Sequence, residues 1–223
     1  MVAIFVLTMF LFFLSVDLIV LKMQGKYHPA FEPSYMQFDS SLFGKSSFFI
    51  PSDISFSKGH TWLKKNNNGL ISIGIDEFGS MALGQISILN CAAIGKELKR
   101  GQMIFEGAYG NRKVKFLSPI NGIVKSVNEN IFGKKISNPY ETWGVQIVSD
   151  DFSNNKEMFV TGKEAFNWIK KESIKLKDFI ANHSLKTDLA GTTMFDGGSL
   201  SNDTISLLVD NSVNDFEKEF LSL

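Results

Sequence analysis

From Phe56 to Val148 the chain consists of short runs of β-favouring residues divided by Gly, Pro and Asn, the rhythm of a small all-β sandwich or barrel. Leu70-Ile71-Ser72-Ile73-Gly74-Ile75 and Gln85-Ile86-Ser87-Ile88-Leu89 are two such runs, and Asp76 between them caps a short helix through Ala82 that Gly84 stops. Further strands are expected at Met103 to Glu106, Lys113 to Leu117, Gly122 to Val127 and Gly144 to Val148. In the second of these, Val114 and Phe116 alternate with Lys113 and Lys115, so one face is apolar and the other charged. Pro119 and Asn121-Gly122 force turns.

Before this region, Val2 to Leu21 are apolar except for Thr8, Ser15 and Asp17. Twenty helical residues at about 1.5 Å each match the roughly 30 Å of a bilayer's hydrocarbon core, so residues 1–22 are expected to be a transmembrane anchor. No basic residue precedes the run and no small-x-small site follows Leu21, which argues against a cleaved signal peptide. Lys22 and Lys26 follow the helix, and the positive-inside rule then puts the large C-terminal part in the cytoplasm, at the cell inner membrane as a single-pass protein. Asp17 stands one turn from the helix end, where it can reach the interface or meet Lys22. Residues 23–55, with Pro29, Pro33, Gly44 and Pro51 among scattered aromatics, read as a tether, packed on the domain or lying at the membrane interface.

After Asp151 the period changes. Thr161 and Glu164 have capping-box spacing, and Phe166, Ile169, Ser173, Leu176 and Ile180 form one stripe, so residues 151–182 are expected to supply a helix that covers the sheet. Residues 183–223 hold a polar linker and a last amphipathic stretch in which Val209, Val213, Phe216 and Phe220 line up among acidic neighbours. That helix either docks on a partner or folds back.

Acidic and basic residues balance at 23 each, which gives no bulk attraction to phosphates, and nucleic acid is excluded as a partner. The single cysteine, Cys91, lies in an apolar run and reads as a small core residue. His28, His60 and His183 have no metal-ligand spacing, so no metal is expected and His60 reads as a hydrogen-bonded structural residue. Trp62 and Trp143 read as core or rim anchors. No nucleophile, base and orienter set and no phosphate-cradling loop is present, so the chain is expected to be no enzyme, with no catalytic residues and no small-molecule substrate of its own.

From about Phe56 to Ile147 an ordered series of fragments resembles the glycine cleavage system H protein family. The series is Gly59-His60-Thr61-Trp62, Ile73 to Ile86 with its Leu83-Gly84-Gln85-Ile86, Gly95 to Gly101, Glu106, Ser118 to Val124, Val127-Asn128 and Asn138 to Gly144. The resemblance implies a mainly β fold with flanking helices (α+β), a lipoyl-like barrel-sandwich hybrid at 56–150. It also implies a carrier lysine displayed on a tight hairpin, where the family bears lipoate as a swinging arm. Counting from Glu106 in the family's Glu-Ser-x-Lys spacing reaches Tyr109, and counting back from Pro119 reaches Asn111; neither is lysine. The loop is longer than the family's, and Gly110-Asn111 at its centre favours a hairpin turn.

The leading expectation is a non-lipoylated interaction module, with no cofactor, that presents Tyr109, Gly110, Asn111 and Arg112 to a protein partner at the membrane. A second reading keeps lipoate, carried by Lys113 on a shifted loop for aminomethyl transfer in glycine cleavage. A third is a membrane-fusion-type export adaptor, which also joins one N-terminal helix to a lipoyl-like domain.

Overall fold

The computed structural model describes residues 2–23, 35–38, 48–82, 86–109, 112–184 and 210–223. The chain divides into two compact units, Met1–Ser34 and Tyr35–Leu223. In the first, α1 runs Val2–Met23, with every described side chain along it exposed. Counted over the described residues, no helix is long and apolar enough to cross a membrane.

The second unit is built on antiparallel pairing. Seven strands form one sheet in the order β12-β3-β4-β5-β11-β10-β7. They are β3 (Ser55–Phe56), β4 (Thr61–Lys65), β5 (Ile71–Ile75), β7 (Glu97–Leu98), β10 (Gly122–Val127), β11 (Val145–Val148) and β12 (Val160–Thr161). A second sheet, in the order β6-β8-β9, holds β6 (Ser87–Cys91), β8 (Met103–Tyr109) and β9 (Arg112–Leu117). Ile73, Ile75, Val124, Val145 and Ile147 of the first sheet and Ile104, Phe105, Val114 and Phe116 of the second enter one buried core. Each such side chain contributes about 1.5–3 kcal/mol by leaving water, the main force holding the layers together. The domain is thus mainly β with some helices.

Two glycines make room for large rings, Gly144 between the sheets and Gly74 within the first sheet. Gly144 receives the ring of Phe105, with Cζ 2.8 Å from where a β-carbon would stand. Gly74 lies under the indole of Trp62, whose Nε1–H donates to the Pro139 carbonyl at 2.9 Å. Both tryptophans of the sequence reading pack against the core, Trp62 buried and Trp143 partly so.

Helix α2 (Glu77–Met81) starts at Asp76, whose carboxylate accepts the Gly79 N–H at 2.6 Å. A single turn, α3 (Asp151–Asn154), precedes β12. Helix α4 (Gly162–Ser184) buries Ala165, Ile169, Ser173, Leu176 and Ile180 at helical spacing, and the Ser173 hydroxyl donates back to the Ile169 carbonyl. Helix α5 (Asp210–Phe220) folds back onto this unit, with Phe216 and Phe220 buried against Phe179 of α4.

The stretch read as a tether is divided in the structure. β1 (Tyr35–Phe38) pairs antiparallel with β2 (Phe48–Pro51), and Phe48 and Ile50 are fully buried. The sequence shows no period there because β2 needs only a short alternation and its aromatics serve both core and surface. Residues 24–34, 39–47 and 185–209, like the stop residue Gly84, lie outside the described residues.

Candidate functional site

The hairpin of β8 and β9 carries every residue singled out for a functional role. Its register pairs Glu106 with Lys115, Gly107 with Val114, Ala108 with Lys113 and Tyr109 with Arg112. Tyr109 with Arg112 is the last described pair, and Gly110 and Asn111, which stand between them in the sequence, lie outside the described residues. Lys113, paired with Ala108, is therefore a strand residue. Period-two geometry sends Val114 and Phe116 into the core and leaves Lys113 and Lys115 outside.

Glu106 and Lys113 sit diagonally on that outer face, and the Lys113 ammonium lies 3.2 Å from the Glu106 carboxylate. Lys113 is 64 % exposed and Glu106 19 %, so the pair is worth at most about 1 kcal/mol. Tyr109 packs against the core, which fixes the top of β8. Lys115, whose side chain is exposed, directs its backbone N–H away from β8 to the Glu217 carboxylate of α5 at 2.9 Å. Glu217 thereby covers part of the free edge of β9. The sequence shows the acidic stripe of α5 but not the strand it would reach.

A second cluster lies where β4, α2 and α4 meet. His60 is fully buried with φ 55°, its ring stacked on Phe78 at 4.1 Å and on Trp168 at 4.9 Å. Nδ1 lies 2.9 Å from Asp76, so one carboxylate both caps α2 and holds the imidazole. Nε2 has no hydrogen-bond partner and faces Glu172 at 3.9 Å, a charge contact rather than a hydrogen bond. Burial alone lowers the His60 pKa; the charge and hydrogen bond of Asp76, with Glu172 behind them, outweigh it and hold it above the ordinary value. Tyr140 is partly buried, and its hydroxyl pKa is pushed well up by burial of that group and by the charges of Asp76 and Glu77.

Cys91 is buried and free, and burial pushes its thiol up to about 12, which removes the thiolate needed for nucleophilic or redox chemistry. Among the described residues no group of three or more His, Cys, Asp or Glu side chains is arranged to hold a metal ion.

Two antiparallel sheets around one buried core, with the β8–β9 hairpin at the edge of the smaller one, make this a mainly β domain with flanking helices. The sequence model of the glycine cleavage H-protein family matches residues 54–172, more than half of the chain, and the chain belongs to that family. Among its relatives, a glycine cleavage system H protein of Chlorobium phaeobacteroides is 31% identical over 106 residues, 46% of this chain and 83% of that protein. A probable glycine cleavage system H protein 3 of Saccharolobus solfataricus is 27% identical over 130 residues, 56% of this chain and 93% of the relative. A solved structure of a glycine cleavage system H protein from Mycobacterium marinum covers 52% of this chain and 94% of its own, at 19% identity and a TM-score of 0.45. The family match ends at Glu172, within α4, and α5 lies beyond the matched residues.

Proposed function

We propose that this chain is a glycine cleavage H-like protein that carries no lipoyl group and acts as a protein-interaction module, held by α1 at the cytoplasmic face of the cell inner membrane. The observation that carries this reading is the hairpin register. A swinging arm needs a primary amine at the apex, and the two residues that the sequence puts between Tyr109 and Arg112, Gly110 and Asn111, have none. The nearest amine, Lys113, lies down the strand beside Glu106, where an acyl transferase meets an ion pair in place of an isolated lysine. The residues at the turn do not fit a lipoyl group, and no transfer step is drawn through one. What remains is the hairpin segment Tyr109, Gly110, Asn111 and Arg112 as a surface for a protein partner.

Anchoring is supported by α1, whose 22 helical residues include an exposed belt of phenylalanines, Phe5, Phe10, Phe12 and Phe13. Such a belt is costly in water and stable in lipid. Lys22 in the last turn of α1 and Lys26 after it in the sequence support the cytoplasmic orientation.

The competing carrier reading draws on the exposure of Lys113. Intact-mass analysis of the full chain, co-expressed with a lipoyl ligase and fed lipoate, separates the two. The unmodified mass is expected; a lipoyl adduct that disappears in Lys113→Arg would establish the carrier instead. Membrane fractionation of the same cells tests the anchor, since deletion of residues 2–23 should move the protein to the supernatant.

A further inference from the structure

His60, just before β4, is fully buried, and its Nε2 has no hydrogen-bond partner. Its neighbours come from two different parts of the chain. From the β domain, Phe78 stacks on the ring at 4.1 Å and the Asp76 carboxylate holds Nδ1 at 2.9 Å. From α4, Trp168 stacks on the ring at 4.9 Å and the Glu172 carboxylate stands 3.9 Å from Nε2. The imidazole is thus a joint between the sheets and the helix that covers them.

The other charged groups nearby are engaged elsewhere or stand behind Glu172. Glu77 of α2 accepts the Phe49 N–H at 3.1 Å. Lys175 lies 4.0 Å from Glu172 and 3.7 Å from Glu219 of α5, and it donates to the Glu219 carbonyl at 2.8 Å. From the end of the chain, the Leu221 carbonyl and the Leu223 side chain stand 3.0 and 3.1 Å from where a β-carbon on Gly59 would be. Asp76 and Glu172 are the acids that face the ring.

The two protonation states of the ring differ at one atom. In the imidazolium both nitrogens carry hydrogen, so the ring gives one N–H to Asp76 and turns positive charge toward Glu172. On deprotonation Asp76 keeps the remaining hydrogen on Nδ1, which leaves Nε2 a bare acceptor opposite a carboxylate. A buried acceptor with no donor is costly. Glu172 is 18 % exposed, so a small outward movement of α4 brings water to that nitrogen.

We propose that His60 is a proton-operated clasp, which fastens α4 to the β domain through Asp76 and Glu172 when protonated and lets α4 lift when neutral. The clasp goes beyond the interaction-module reading and does not depend on it, since neither Lys113 nor the hairpin takes part. Burial lowers the His60 pKa, and the charge and hydrogen bond of Asp76, with those of Glu172, outweigh it and raise the folded value. The clasp is accordingly closed below about pH 6.5 and opens as pH rises through the folded value.

The test is amide hydrogen exchange of the full chain in mild detergent, read by mass spectrometry from about pH 5.5 to about pH 9 and corrected for the intrinsic rate at each pH. Protection over residues 168–176 should fall roughly fivefold or more across that range, with α4 exchanging ahead of β8 and β9 at the upper end. Glu172→Gln offers an amide N–H to the bare nitrogen, so it should keep α4 protected at high pH and shrink the step. His60→Asn, which tolerates φ 55°, should abolish the step, and slow exchange in β8 and β9 checks that it is folded. Should His60→Asn fail to fold, Glu172→Gln decides alone. Protection over residues 168–176 that does not change with pH would overturn the proposal, as would an undiminished step in folded Glu172→Gln. So would α4, β8 and β9 exchanging at one common rate throughout, because the effect would then be global unfolding and not the lifting of a helix.

Discussion

Replacing Gly144 with alanine tests whether the two sheets are held apart by no more than a hydrogen atom. Its φ is not in the left-handed region, so alanine brings no backbone strain, and the effect is purely steric. The new methyl would stand 2.8 Å from Phe105 Cζ, inside the 3.0 Å that real β-carbons do not breach. Something must move, and little can. Gly144 N–H donates to the Ile73 carbonyl and the Gly144 carbonyl accepts from Asn128, each at 2.9 Å, while the Phe105 ring is 1 % exposed and enclosed by the core.

Overpacking of this kind costs about 1–3 kcal/mol, which at roughly 2–4 °C per kcal/mol lowers the melting temperature by about 2–12 °C. Phe105→Leu clears the space at its own cost, which stays below the ~3–5 kcal/mol typical of Phe→Ala. The double variant should therefore be more stable than the sum of the two changes implies, by about 1–2 kcal/mol of coupling. Urea denaturation of the four proteins, followed by tryptophan fluorescence, measures this cycle. A Gly144→Ala protein as stable as its parent, or additive costs in the double variant, would refute the claim that the sheets meet at this contact.

Two further outcomes are expected. Cys91, with its thiol pushed up to about 12, should stay unreacted with a chromogenic disulfide at pH 8 in the folded chain and react fully in urea; labelling of the native protein would show that the core opens there. His60 has a raised pKa, so the folded chain holds its proton more tightly than the unfolded chain. Its contribution is fully present below about pH 6.5 and is lost as pH rises through the folded value. Urea midpoints should fall across that window, with Asp76 and Glu172 the acids facing the ring. His60→Asn, which tolerates φ 55°, should remove that slope, and an unchanged slope would assign it to another group.

How much of this was legible depended on what a pattern can encode. The alternation of Val114 and Phe116 with Lys113 and Lys115 gave β9 its two faces, and the antiparallel pairing of β8 with β9 agrees with a hairpin between them. Ordered motifs such as Gly59-His60-Thr61-Trp62 pointed to the family. Periodicity says which face of an element is buried, but not what covers it. The stripe of Phe216 and Phe220 left open whether α5 folds back, because the answer lies in Phe78 and Phe179, remote in sequence. Asp76 was readable as a helix cap from local spacing, while its second bond, to His60, needed β4 and β5 to be paired first. Strands of two residues, such as β3, β7 and β12, carry too few side chains to show a period at all.

An unpaired strand at the rim of a sheet is a template that any extended backbone can copy, rung by rung, into a growing aggregate. On β9 one of those rungs, the Lys115 amide, already has a carboxylate seated on it, and a helix lies where the next strand would have to come. Copies crowded together are thereby kept from zipping along that margin, a safeguard that depends on a helix reached only through residues 185–209.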